Sequence, residues 1–127
     1  MKRILIVVIA VIAVGTLLVS CGKKEGEPEV LYNYAIKDAF IANVKESQKL
    51  VKVSIVLVMN KDIAKDLEEN VHIIRDTVLI ILRDLTDDDI SSPDIMDRLR
   101  SEIPAALNKA LEIENIVSVY FSDFVMQ

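Results

Sequence analysis

Cysteine, glycine, histidine and tryptophan are scarce or missing in this 127-residue chain, which has one Cys, three Gly, one His and no Trp. A single Cys excludes an internal disulfide. Gly15, Gly22 and Gly26 all precede the predicted domain, so a Gly-rich phosphate-binding loop within it is excluded as well. Three Tyr and three Phe are too few to suggest an aromatic platform that stacks bases.

Positive charge is also in short supply after the N-terminal segment. All 20 Asp and Glu lie beyond residue 21, whereas two of the 15 Lys and Arg, Lys2 and Arg3, come before it. The remaining chain is therefore acidic, and an acidic surface repels nucleic acid and anionic lipid headgroups. We expect no nucleic-acid partner.

An uncharged apolar run follows the basic start Met1-Lys2-Arg3. As a helix, residues 4–21 would span about 27 Å, just short of a hydrocarbon core of ~30 Å. The positive-inside bias keeps the basic end in the cytoplasm, so the rest of the chain is exported. We predict a signal or anchor segment over residues 1–21, a polar tether over residues 22–34 and a periplasmic domain over residues 35–127.

The single cysteine lies where the apolar run stops. Leu18-Val19-Ser20-Cys21 resembles the bacterial lipobox, in which the Cys thiol is diacylated and the preceding peptide is removed. Cys21 is therefore a lipidation candidate. The alternative is a transmembrane helix that stays uncut and ends at Cys21, and both readings place the domain outside the cytoplasm.

Three segments of the domain alternate with the period of a strand. Residues around Phe40–Val44 predict a first strand, and Leu50–Met59 is the clearest one. Its residues Val51, Val53, Ile55, Leu57 and Met59 share one face, opposite Lys52 and Ser54. Val56 and Val58 make the second half apolar on both faces, which indicates a covered or central strand. Residues 114–126 predict the last strand, with Val117, Val119, Phe121 and Val125 on one face.

Two helical patterns lie between the second and last strands. Apolar residues recur at spacings of three and four from Asp62 to Leu85, which predicts one long amphipathic helix. Residues 86–91 break the pattern, and Ser92 is expected to cap a second helix in which Pro104 causes a kink. The order β-β-α-α-β predicts an α+β domain, in which two helices cover one face of a small antiparallel sheet.

No residue pattern in the domain indicates catalysis, a cofactor or a metal. His72 lies mid-helix without a Cys or a second His, which favours a structural or surface role. Asp87-Asp88-Asp89 lacks the spaced acids, glycine and distal glutamate of a calcium loop, and we expect a solvated loop beside a helix cap. The chain is therefore predicted not to be an enzyme, with a small hydrolase as the least favoured reading.

Four segments, taken in order, resemble the motifs of one family. Residues 40–44 (FIANV) resemble an opening strand F-(I/V)-V-N-L, and residues 50–55 (LVKVSI) resemble Y-L-K-V-S-I. The segment beginning Ile74-Arg75-Asp76 resembles I-R-D-x-I-x-x-L-L-S-x-K-T-x-x-D-L. Residues 119–127 (VYFSDFVMQ) resemble the ending V-Y-F-T-E-F-V-V-Q. The domain is thereby identified as resembling the flagellar basal body-associated FliL family over residues 40–127.

This resemblance implies an inner-membrane protein of the flagellar motor with a periplasmic domain similar to the stomatin-type scaffolding fold. The implied partners are the MotA/MotB stator, the basal body, the membrane and further copies of the chain in a homo-oligomeric ring, with no small-molecule substrate and no cofactor. The implied role is to support flagellar rotation and motility. The short tether and the lipobox-like Cys21 depart from the family pattern, and so do Pro104 and Arg83-Asp84-Leu85.

The polar outer face of the long helix is the candidate interaction face. It carries both signs of charge, on Lys65, Glu68, Glu69, Arg75 and Asp76. Charges of both signs suit pairing with a neighbouring molecule, although a solvated helix face without a partner has the same pattern. The alternative function is an envelope lipoprotein that serves as an interaction module unrelated to the flagellum.

Overall fold

The central element of the fold is an antiparallel sheet built around one long strand. The structure, a computed structural model, describes Gly26 and residues 28–127, so the predicted signal or anchor segment and Cys21 lie outside the described residues. The elements in chain order are β1 (Tyr32–Ala35), β2 (Phe40–Asn43), β3 (Leu50–Met59), α1 (Ala64–Glu69), α2 (Val71–Asp84), α3 (Asp87–Ser91), α4 (Ile95–Leu111) and β4 (Ile116–Met126). Among these described helices, none has the length and apolar character needed to cross a bilayer.

Strand β3 lies in the middle of the sheet, which confirms the central position predicted for it. β1 pairs with residues 56–59 of β3 and β2 pairs with residues 50–53, both antiparallel. β4 pairs antiparallel with β3 from Val51 to Met59. Because β4 occupies one edge of β3 along its whole length, β1 and β2 share the other edge, one after the other.

The core lies between the sheet and the helices. The predicted inward row of β3 is at most 2% exposed and consists of Val51, Val53, Ile55, Leu57 and Met59. The same buried cluster contains Ile74, Val78 and Leu82 of α2 and Leu99, Ile103 and Leu107 of α4. The prediction that two helices cover one face of the sheet is therefore confirmed, and so is the α+β class. Lys52 is exposed on the opposite face, which the helices leave uncovered.

β4 departs from the alternation that its sequence predicts. Register shifts against β3 add one extra residue at Val117 and another at Ser122. Each extra residue reverses the side on which the following side chains lie. The prediction that Val117, Val119 and Val125 share a face is wrong, since Val119 is fully buried whereas Val117 and Val125 are 44% and 37% exposed. The row that pairs with the buried row of β3 is Ile116, Val119, Phe121, Phe124 and Met126.

The predicted long helix is two helices. α1 ends at Glu69 and α2 starts at Val71, so the prediction of one uninterrupted helix over Asp62–Leu85 is wrong. Asn70 separates them with φ −108° and ψ 19°, and its side-chain Nδ2 donates to the carbonyl of Asp66 at 2.9 Å. Asn competes for local backbone groups in this way, which is why it favours helix ends. The apolar stripe nevertheless continues across the break and is buried at Leu67 and Ile74.

Three further elements differ from prediction. Residues 87–91 form the short helix α3 instead of a solvated loop, and α4 starts at Ile95, after a turn in which the Ser92 hydroxyl accepts from the N–H of Asp94. The strand Tyr32–Ala35 was not predicted, and it brings into the sheet three residues assigned to the tether. α4 continues through the buried Pro104, where a kink stays a prediction.

Candidate interaction site

The residues considered as possible catalytic or metal-binding groups, His72 and Asp87–Asp89, lie on different helices. His72 is exposed on α2. Within residues 28–127 no group of three or more His, Cys, Asp and Glu side chains is arranged to hold a metal ion. A groove of about 500 Å³ lies between the α1–α2 junction and the end of α4. Its polar lining consists of Lys61, Asp66, Asn70, Glu112 and Asn115. This lining contains no Ser, Thr, Tyr, Cys or His.

The acidic run at residues 87–89 starts α3. Thr86 and Asp89 form a reciprocal capping box, in which the Thr86 N–H donates to Asp89 Oδ2 at 2.9 Å and the Asp89 N–H donates to Thr86 Oγ1 at 3.2 Å. Arg98 of α4 also donates to the Asp89 carboxylate. The hydrogen bonds from the Thr86 backbone, the Thr86 hydroxyl and Arg98 lower the pKa of Asp89 to about 2. The Asp89 carboxylate therefore has a structural role, since it caps α3 and binds Arg98 of α4.

The lowered pKa of Asp89 predicts a pH-dependent contribution to stability. In the unfolded chain an Asp titrates near pH ~3.9, so the stabilisation is present above that pH and is lost as the pH falls towards 2. We expect the gap in Tm between the wild type and Asp89→Asn to be open at neutral pH and to close between about pH 4 and pH 2. Thermal unfolding of both proteins across this pH series measures it. A gap that does not change with pH would contradict the prediction.

The five residues of the predicted interaction face are divided between two helices. Lys65, Glu68 and Glu69 are exposed on α1, whereas Arg75 and Asp76 lie on α2 beyond the break. The Lys65 ammonium is 4.0 Å from the Glu69 carboxylate, and both side chains are more than 60% exposed, so this pair contributes little to stability. Lys65, Glu68, Glu69 and Asp76 therefore remain exposed, but Arg75 does not belong with them.

Arg75 is turned inward onto the segment between β1 and β2. Its guanidinium donates to three successive backbone carbonyls, those of Lys37 at 3.2 Å, Asp38 at 3.3 Å and Ala39 at 3.3 Å. It also lies over the Phe40 ring, 4.7 Å from the centroid. A planar guanidinium suits this combination of forked donation and stacking. The structure thus uses Arg75 to hold the chain where β1 passes into β2.

The sheet edge formed by β1 and β2 is closed at its middle. Asp38 has φ 66°, a left-handed conformation that Asp tolerates better than most residues, and it interrupts the strand there. The three carbonyls at this interruption are taken by Arg75. Such interruptions and capped carbonyls protect a sheet edge from pairing with another chain. Only the short stretches Tyr32–Ala35 and Phe40–Asn43 retain regular strand geometry on this side.

The opposite edge, β4, is long, and its two bulges at Val117 and Ser122 are its main protection against pairing. β4 has 11 residues and pairs with β3 alone among the described strands. The side chain of Asn108 binds the backbone of Ile116, the first residue of β4. It donates to the Ile116 carbonyl at 2.8 Å and accepts from the Ile116 N–H at 3.1 Å. Beyond that residue the strand contains no Lys, Arg or Pro, and Asp123 is its only charge. Long, weakly charged edges are the sites at which another strand can add.

The exposed side chains of β4 add an apolar character to this edge. Val117, Tyr120, Val125 and Met126 are 44%, 54%, 37% and 41% exposed. Tyr120 and Val125 lie on the sheet face that the helices leave uncovered, opposite Val56 and Lys52 of β3. The β4 edge and its exposed apolar residues are the candidate interaction site that the structure adds to the helix face.

Comparison with known proteins identifies the family. A family model described as flagellar basal body-associated protein FliL matches residues 33–127, a range that includes all four motifs. The chain belongs to the FliL family. The flagellar protein FliL of Aquifex aeolicus is similar to it, with 29% identity over 107 residues that cover 82% of this chain and 66% of the relative, just under two thirds. The FliL model covers the whole sheet except Tyr32, and all four helices.

The β4 edge of this FliL-family domain was not among the sites predicted from the sequence. A signal for it was present, because an 11-residue strand with a single charge and no proline lacks the residues that usually protect an edge. What the composition could not give was the position of β4 at the border of the sheet. The strand order follows only from the pairing with β3.

Proposed function

We propose that this chain is a flagellar motor accessory protein whose domain is a periplasmic scaffold associated with the MotA/MotB stator, supporting flagellar rotation and motility. The observation that carries the proposal is the FliL family model, whose description names the flagellar basal body and whose match covers the folded domain. The relative from Aquifex aeolicus carries the same family name. The scaffold has a stomatin-like fold in this proposal, as the motif resemblance implies.

The surfaces of the domain support a binding role rather than a catalytic one. The exposed charges of the helix face lie on α1 and α2, and α2 packs on β2, whereas the β4 edge lies on the other side of β3 from β2. A head-to-tail ring requires two different surfaces on each copy. Two such surfaces are available here, so a homo-oligomeric ring around the stator is part of the proposal.

The proposed location is the inner membrane, with the domain facing the periplasm. The basic N-terminus and apolar run of residues 1–21 provide the anchor, either as a retained transmembrane helix or as a signal that leaves a lipid on Cys21. Stator contact through the periplasmic domain is compatible with both forms of anchoring. Mass spectrometry of the native N-terminus distinguishes a chain that starts at Met1 from one that starts at an acylated Cys21.

Deletion of the gene tests the proposed function directly. We expect reduced swimming or swarming, restored by the wild-type chain, and co-purification of the full-length protein with MotB from detergent-solubilised membranes. Filament number should be counted as well, since loss of filaments would indicate assembly rather than rotation. Normal motility together with an envelope defect would contradict the proposal and favour the non-flagellar lipoprotein.

Charge reversal on α1 tests the helix face. Glu68→Lys with Glu69→Lys is expected to leave the fold intact, because substitutions at exposed positions change stability by only about ±0.5 kcal/mol. Reversed charges should weaken association between copies and reduce swimming speed, since complementary charges govern encounter and specificity. Circular dichroism, chemical cross-linking and swimming speed are the three measurements. A folded variant that cross-links and swims like the wild type would remove α1 from the interface.

A further inference from the structure

In the described sheet, one row of paired residues runs from the β2 edge through β3 to the β4 edge. Ile41 of β2 pairs with Lys52 of β3, and Val125 of β4 pairs with the same Lys52 from the other side. Ile41 and Val125 therefore lie in one row across the sheet and on the same face. Both are exposed, at 60% and 37%. When two copies stand side by side in the same orientation, Val125 of one comes level with Ile41 of the next.

The strand directions also match for such a contact. β2 and β4 are both antiparallel to β3, so they run in the same direction as each other. Side-by-side copies would therefore join β4 to β2 as a parallel pair. Apart from β3, no strand of the described chain pairs with either.

The chemistry of the two edges is complementary. Beside β2 lies a groove of about 240 Å³, lined by Ile41, Ala42, Asn43, Leu50, Leu79 and Arg83. The end of β4 offers Val125 and the flexible Met126, which is 41% exposed and can adapt to an irregular groove lined by both apolar and polar residues. Arg83 forms no ion pair with any residue in the described part of the chain. Asp123, the one charge of β4, is 40% exposed and 3.8 Å from Lys52.

We propose that the C-terminal end of β4 adds to the β2 edge of a second copy of this chain, seating Val125 and Met126 against Ile41 and the groove beside Arg83. The contact is head-to-tail and uses two different surfaces, so it can repeat around a ring. It rests on the proposed function in that copies anchored in one membrane stand the same way up. The interruption at Asp38 limits the contact to the β2 half of that edge.

Paired cysteines in the full-length chain test the contact in native membranes. Neighbouring strands lie about 4.8 Å apart, within the Cα separation that a disulfide requires. Under mild oxidation, Ile41→Cys with Val125→Cys is expected to give a ladder of dimers, trimers and larger species. The matched control is Asn33→Cys with Val125→Cys. Asn33 is on the same side of the sheet but pairs with Val58, about 20 Å further along β3.

The wild-type chain and each single variant show the background, because Cys21 is present in all of them. A ladder with Ile41→Cys and Val125→Cys and none with the Asn33 control supports the contact. Equal ladders, no ladder, or a dimer from Val125→Cys alone, which would indicate β4 pairing with β4, overturns it. Circular dichroism verifies that each variant is folded. Absent cross-links in a strain whose motility depends on the protein would refute this contact and leave the proposed function standing.

Discussion

Truncation of Ile55 to alanine is expected to lower the free energy of unfolding by about 2–5 kcal/mol. Ile55 is 2% exposed and lies at the middle of β3, the strand that pairs with all three others. The substitution removes buried methyl and methylene groups and leaves a cavity that the sheet cannot close, because β3 is held on both edges. Urea unfolding of the full chain in mild detergent, followed by far-UV circular dichroism, measures the change.

The control for this substitution is the same truncation at an exposed position. Ile80 is 61% exposed on α2, and alanine is the better helix former, so Ile80→Ala should change the free energy of unfolding by about 0.5 kcal/mol at most. A loss below ~0.5 kcal/mol for Ile55→Ala would mean that the central strand is not the centre of the core. Equal losses at Ile55 and Ile80 would contradict the assignment of inner and outer faces.

The elements with an unbroken period were predictable from the sequence. The inward row of β3 and the buried stripe of the helices follow from spacings of two and of three to four, and the structure buries these rows. Such patterns are reliable here because a single buried face imposes its period on the chain. The resemblance to the FliL family used the same segments and is confirmed by the family model.

Features that interrupt a period were not predictable in the same way. The bulges at Val117 and Ser122 shift the phase of β4 without a glycine to mark them, so an alternating pattern placed Val117 and Val125 on the same face as Val119. The buried apolar stripe continues across the break at Asn70, so the helical spacing of the sequence gives no sign that the helix is interrupted. For α3, a signal was present, since Thr86 and Asp89 have the spacing of a capping box.

For the candidate site, the roles that follow from local helical spacing could be predicted, whereas roles that depend on contacts between distant segments could not. The exposed charges of α1 could be predicted because helical spacing places them outside the stripe. The role of Arg75 could not, because its carbonyl partners are 36 to 38 residues away in the chain. Long-range hydrogen bonds of this kind depend on how the helix is placed against the sheet edge, which no local spacing specifies.

Replacement of Arg75 by methionine is expected to cost about 1.5–3 kcal/mol of unfolding free energy, the range for hydrogen bonds to charged groups. Methionine keeps apolar contact with Phe40 but provides no donor for the carbonyls of residues 37–39. Arg75→Lys should lose an intermediate amount, because a single ammonium cannot reproduce the planar fork. Urea unfolding of the three proteins gives the order.

Hydrogen exchange shows which segment is destabilised in Arg75→Met, and it therefore distinguishes a role of Arg75 at the sheet edge from a role in the interaction face. If Arg75 holds the β1–β2 segment, amide hydrogen exchange in residues 36–43 should accelerate in Arg75→Met, while the centre of β3 stays protected. Glu68→Lys with Glu69→Lys is the matched control, because both positions are exposed and neither should change exchange in that segment. Unchanged stability and exchange in Arg75→Met, with weakened association between copies, would return Arg75 to the interface and refute its role at the sheet edge. Lower stability and faster exchange in residues 36–43, with unchanged association between copies, would mean that Arg75 is not part of the interaction face. The helix face would then consist of the exposed charges alone, and Arg75 would hold the segment between β1 and β2 through its three carbonyls.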